Sequence, residues 1–185
     1  MSEPNPYAPP AARVADVSSN VADDEIPFFA VSVRKLTVLS ICTFGIYQVY
    51  WFYKHWQRVR ERGESVLPVM RAIFGIFFCY ALFSRVRDYD HPNVRSETLA
   101  AGGLALGWVV LQLVANLPNP FYLLTFASVV FLVPVQSRIN RINEEVAPDH
   151  DPNSRFSGWN WFGIVIGGLL FLLAIIGSTL PEGDA

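Results

Sequence analysis

The chain has 185 residues, of which 52% are hydrophobic and only 16% charged, against about 25% charged in ordinary soluble domains. That balance excludes a conventional soluble domain, and a net charge of −2 supplies no basic stripe for nucleic acid. Cys42 and Cys79 both lie in apolar runs, which excludes a secreted disulfide framework or a CxxC metal site and leaves two buried thiols.

Residues 1–25 carry Pro4, Pro6, Pro9 and Pro10 and end in Asp23, Asp24 and Glu25. They hold too little apolar surface to fold alone, and no basic stretch leads into an apolar one as in a cleavable signal peptide. A disordered, solvated tail is expected, with a polyproline II ligand at residues 5–10 as the alternative. Residues 26–181 read as a single membrane-embedded helical domain, and residues 182–185 as a short acidic tail.

Within that domain, residues 26–33 predict an extended segment near the interface, and Arg34 and Lys35 anchor the first membrane segment. Residues 36–53 would make a helix of about 27 Å, long enough to span. The second apolar run, residues 66–83, holds Pro68 and Arg71. An arginine at a membrane centre costs about 2.5–3.5 kcal/mol, so Arg71 is expected to snorkel to the interface. The twelve residues that follow it would rise only about 18 Å, short for a crossing. Residues 99–117 form the third segment and residues 121–135 the fourth, joined by the uncharged Leu117-Pro118-Asn119-Pro120 turn. The fourth runs on through residue 146 as an amphipathic interfacial helix, with Val135, Ile139, Ile142 and Val146 on one face. Residues 161–180 form the fifth. The expected fold is thus an all-α integral membrane protein of five hydrophobic helical segments.

Charge counting discriminates among topologies, because Lys and Arg gather on the cytoplasmic side. If all five segments cross, the 14 Lys and Arg divide 9 to 5, with the densest basic cluster on the wrong side. If only the first crosses, with the N-terminus outside, they divide 11 to 3. If segments one and two each enter and leave on one face, all 14 are cytoplasmic, and so is the N-terminus. The last arrangement is preferred. Gly45 permits a break in mid-segment, Thr43 is placed to satisfy backbone groups freed there, and the first segment, with the second in the same case, becomes re-entrant.

Tyr47, Tyr50 and Trp51 adjoin Lys54 and Arg58, with Arg60, Arg62 and Arg71 close by. Aromatic rings with polar handles suit the headgroup level, and neighbouring cations suit lipid phosphates. A membrane anchor belt and a specific headgroup site are the two readings. The string Thr43-x-Gly45-Ile46-Tyr47-x-x-Tyr50-Trp51-x-Tyr53-Lys54 resembles the signature of a bacterial family of small membrane proteins of unknown function. The resemblance continues at residues 71–74, 79–83 and 157–161 and at Gly167-Gly168, covering most of residues 28–181. It implies a multi-pass protein of the bacterial inner membrane and brings no activity or catalytic residue.

Gly103 and Gly107, and Gly163 and Gly167, recur at the interval that lets helices approach closely in lipid, within one chain or between two copies. Asp88, Asp90 and His91 in one loop, and Asp149, His150 and Asp151 in another, are weak metal or acid–base candidates against the reading of solvated loops. No catalytic residue and no cofactor is expected. The functional expectation is a non-enzymatic module that binds membrane lipids, and alternatively other membrane proteins or a second copy, through its basic–aromatic face. A small transporter or channel subunit is the second reading, and a membrane-bound enzyme the third.

Overall fold

The computed structural model describes residues 26–95 and 97–179. The tails expected at residues 1–25 and 182–185 lie outside them. Among the described residues the chain is all-helical. Helix α1 (Val33–Cys42) and α2 (Ile46–Glu61) are followed by α3 (Pro68–Ile73) and α4 (Gly75–Arg87). Then come α5 (Ala101–Leu113), two 3₁₀ stretches (Val114–Asn116 and Phe121–Ser128), α6 (Val129–Val146) and α7 (Gly158–Thr179). Two helical stretches, Phe121–Val146 and Gly158–Ser178, are long and apolar enough to cross a membrane, and Ala101–Asn116 is a shorter apolar helix.

The first predicted segment is two helices. Ser32 caps α1 by accepting from the Lys35 N–H at 3.2 Å. At its other end the Gly45 N–H donates to Ser40 O at 2.9 Å and the Phe44 N–H to Ile41 O at 3.2 Å, the paired bonds of a Schellman stop. Phe44 takes the left-handed conformation at φ 53°, where glycine is usual, and Gly45 follows at φ 82°. The Thr43 hydroxyl donates to Leu39 O at 2.7 Å and accepts from the Tyr47 N–H at 2.9 Å. One side chain therefore adds a second bond to the Leu39 carbonyl of α1, which already accepts from the Thr43 N–H at 3.0 Å, and serves an orphan amide of α2. Phe44 stacks edge-on with Phe126 and Phe171, and those contacts hold its strained backbone in place.

α1 and α2 form a hairpin. Phe29, just before α1, lies against Tyr50 and His55 of α2, so the chain has come back to the end it left. The ten residues of α1 rise about 15 Å, half of the ~30 Å hydrocarbon core of a bilayer, and the sixteen of α2 rise about 24 Å. The second predicted segment is also broken, at Phe74. Pro68 opens α3 in the first turn, where its missing N–H costs nothing. α3 runs along α2, and Val69, Ala72 and Ile73 line one groove with Ile46, Val49, Tyr50 and Tyr53. α4 then returns until Arg85 meets Glu64 at 2.7 Å.

The core lies between these hairpins and α6. One face of α2 (Gln48, Trp51, Phe52, His55, Trp56 and Val59) is fully buried. Val135, Ile139 and Ile142 of α6 pack into the same core, so the amphipathic face expected at an interface is an internal seam. A side-chain network ties the apex: the Trp108 indole N–H and Gln112 Nε2 donate to Gln48 Oε1 at 2.9 and 3.1 Å. Gln48 Nε2 donates to Ser128 Oγ at 3.2 Å.

The extended stretch ahead of α1 is not a surface strand. Phe28 and Val31 are fully buried, and the backbone is paired with side chains instead of a sheet. Asn143 grips Phe28 at both groups, its Nδ2 donating to the carbonyl at 2.9 Å and its Oδ1 accepting from the N–H at 3.3 Å. Asn140 Nδ2 donates to Val31 O at 3.0 Å, and the Phe29 N–H donates to His55 Nδ1 at 3.4 Å. Gln136, Asn140 and Asn143 recur along one stripe of α6 and act as the missing ladder.

α7 leans on α1 through one stripe and presents most of its surface outward. A Cβ on Gly167 would stand 1.6 Å from Cys42 O, so the two backbones meet there. Gly163 makes only ordinary contact with Thr43. In α5, Gly107 receives the Phe131 ring, whereas Gly103 faces open space.

Candidate basic–aromatic site

Of the 14 Lys and Arg in the sequence, Arg13 lies outside the described residues. Contacts tie many of the other thirteen across chain segments. Lys35 Nζ donates to Asn153 Oδ1 at 2.7 Å and Arg155 O at 2.8 Å, joining the start of α1 to the loop before α7. Lys54 sits over the Phe29 ring, and Arg62 over Phe28 and Tyr89. Arg138, buried in α6, donates to Arg95 O at 2.7 Å and lies 3.6 Å from Glu97, to which Arg141 also pairs. No Lys, Arg, Asp, Glu or His occurs in residues 36–53, 72–84, 98–137 or 156–179.

The predicted site residues divide. Trp51 is fully buried, its indole N–H donating to Gln136 Oε1 at 2.6 Å, so it is a core anchor and not a headgroup contact. Tyr47 is half-buried beside Tyr50, which faces outward. Arg71 does not simply snorkel: its guanidinium lies 4.4 Å from the Trp56 ring centroid and 5.1 Å from that of Phe78, while Arg85 approaches Trp56 at 5.2 Å. Trp56 is thus gripped by two cations. Stacking leaves their charge unneutralised, because a ring quadrupole carries no net charge. Arg58 pairs with Glu61 at 3.4 Å, Lys54 Nζ donates to Gln57 at 3.0 Å, and Arg60 is exposed.

Arg85 engages Glu64 with two guanidinium nitrogens, and that hydrogen bonding holds the Glu64 carboxyl below its usual range. His55, past the end of the first apolar run, is completely enclosed. Burial pushes its imidazole down to about 3, and nearby Arg62 adds to the depression against a raising bond from Gln136. It is neutral, accepting at Nδ1 from the strap.

The two acid–histidine loops do not assemble a site. Asp88 is paired with Arg87 at 2.7 Å, His91 stacks on Tyr89, and His150 Nδ1 lies 2.7 Å from Ala147 O. Among the described residues no three His, Cys, Asp or Glu side chains converge as a metal site.

Sequence reasoning missed the buried polar residues of this pole: His55, Gln136, Arg138 and Asn143. The signal was present for α2, whose buried positions 48, 51, 52, 55, 56 and 59 follow the helical interval. Comparison with protein-family models, curated proteins and solved structures finds no match.

Proposed function

We propose that this chain is a non-enzymatic module of a bacterial inner membrane whose basic–aromatic pole binds anionic lipid headgroups on the cytoplasmic side. What supports it is that all thirteen described Lys and Arg lie outside the long uncharged runs and that many of them are tied to one another's segments by contacts. In this reading the hairpins α1–α2 and α3–α4 dip in and return, while α5, α6 and α7 cross. Nine acidic residues among those described leave this pole four positive charges in excess of its own pairing. Arg60 is exposed, and neither it nor Lys54 has a carboxylate partner among the described residues. Basic residues near an anionic surface contribute about 1 kcal/mol each, or roughly fivefold in affinity.

The test is native mass spectrometry of the full chain released from vesicles of equal phosphatidylglycerol and phosphatidylcholine. The expected result is an excess of phosphatidylglycerol adducts that falls several-fold in Lys54→Gln/Arg60→Gln. Equal adducts of both lipids would sink the reading.

A further inference from the structure

A cavity of about 300 Å³ lies where the apices of both hairpins meet α5 and the 3₁₀ stretch before α6. Its walls include Phe44, Ile46, Phe52, Ile73 and Phe126, and its polar side is made by Gln48, Trp108, Gln112 and Ser128. No Asp, Glu, Lys, Arg or His lines it. An ionic ligand would therefore lie unpaired in an apolar wall, at a prohibitive desolvation cost.

The hydrogen-bond accounting is nearly closed. Gln48 Oε1 accepts from Trp108 and Gln112, Gln48 Nε2 donates to Ser128, and Thr125 Oγ1 donates to Leu111 O at 2.9 Å. Gln112 Oε1 receives no donor among the described residues, so the cavity's lining carries an open carbonyl acceptor. The rim residues Phe44, Ile46, Val49, Ile73 and Ile76 all face outward and are apolar, so access runs through the lipid phase and not through the basic pole. Broken helices that meet around such a cavity are the arrangement in which non-helical backbone is tolerated at membrane depth.

We infer that this cavity binds a neutral lipid carrying a free hydroxyl, which donates to Gln112 Oε1 while its chain lies among Phe44, Phe52 and Phe126. The inference rests on membrane embedding but not on the anionic-headgroup reading. Diacylglycerol and a long-chain prenyl alcohol share the required chemistry.

The full chain is reconstituted in phosphatidylcholine vesicles with a few mole per cent of dioleoylglycerol, of a prenyl alcohol, or of the O-methyl ether of either, and adducts are counted by native mass spectrometry. One alcohol is expected to give a one-to-one adduct, with its ether about fivefold weaker for want of the donor. The two alcohol arms identify the source. Val49→Phe fills the cavity from the rim without touching the network and should abolish the adduct. Gln112→Leu should equalise alcohol and ether. Equal binding of both by the native chain, no adduct at all, or full binding by Val49→Phe would each overturn the inference. Flotation of the same vesicles reports embedding separately, and protein left at the bottom of the gradient would overturn both readings. Phosphatidylglycerol preference measured on Val49→Phe stays unchanged, so loss of one site is told apart from loss of the other.

Discussion

At the scale of single residues, the glycines show how spacing and use differ. All four were chosen for their interval, yet only Gly107 and Gly167 meet a neighbour that a methyl group would strike. Gly167→Ala would force the α7 backbone off Cys42 O, and overpacking of that kind costs about 1–3 kcal/mol. Its thermal midpoint in detergent should fall, whereas Gly163→Ala and Gly103→Ala stay near the native value. His55 gives a second expectation. Its folded-state pKa is depressed to about 3 by burial, while the unfolded chain takes up its proton near the ordinary value of 6.5. The stability it permits is complete above that value and is lost as pH falls from it toward 3. Thermal midpoints measured down this range should decline, and His55→Gln, which keeps an acceptor and cannot titrate, should flatten the decline. Helical spacing puts His55 on the buried face of α2, which sets it apart from His91 and His150, but the depressed titration comes from its enclosure, which the sequence does not show.

Individual elements were legible to the extent that a single residue type forces their shape. Gly45 inside an apolar run announces a break, since the backbone there needs positive φ. Phe74 announces nothing: beside its break Gly75 lies close to Phe52 and Trp108, a tertiary neighbourhood that no local pattern records. The burial of the extended stretch ahead of α1, a strap across α6, was not legible for the same reason, because its partners are amides on α6 that read as solvent-facing residues of an amphipathic helix. Gly45→Ala meets no steric obstacle, as open space surrounds the position, so only its left-handed backbone opposes it. The cost should be about 1–2 kcal/mol. Gly45→Asn, which tolerates that conformation, should recover much of it in the same thermal melts. A fall as large for Asn as for Ala would show that the turn is held by something other than backbone strain.

For the whole molecule, the distribution of charge makes the two-hairpin topology a prediction about sides. A cysteine placed at Glu64, between the hairpins, should react with an impermeant thiol reagent only from the cytoplasmic face. A cysteine at Asn119, in the turn that touches the end of α7 through Ser178, should react only from the other. Labelling of position 64 from the periplasm would remove the re-entrant arrangement. The aromatic segment shows where the sequence stopped short. Tyr50 and Trp51 are neighbours of similar chemistry, but one faces outward and the other is the buried partner of Gln136. Residue type places both rings near an interface, and only the packing of α2 on α6 decides which of them touches it.

The strap has a consequence for the order of assembly. Phe28 is gripped by Asn143, 115 residues further along the chain. During synthesis at about 5–20 residues per second, the strap emerges many seconds before the helix that receives it. His55 arrives early, but Gln136, Asn140 and Asn143 arrive only when α6 does. The first folded-body residues to leave the ribosome are therefore among the last to find their final partners. Docking of the strap therefore waits on α6, a latch that shuts only on a bundle whose sixth helix is already in place.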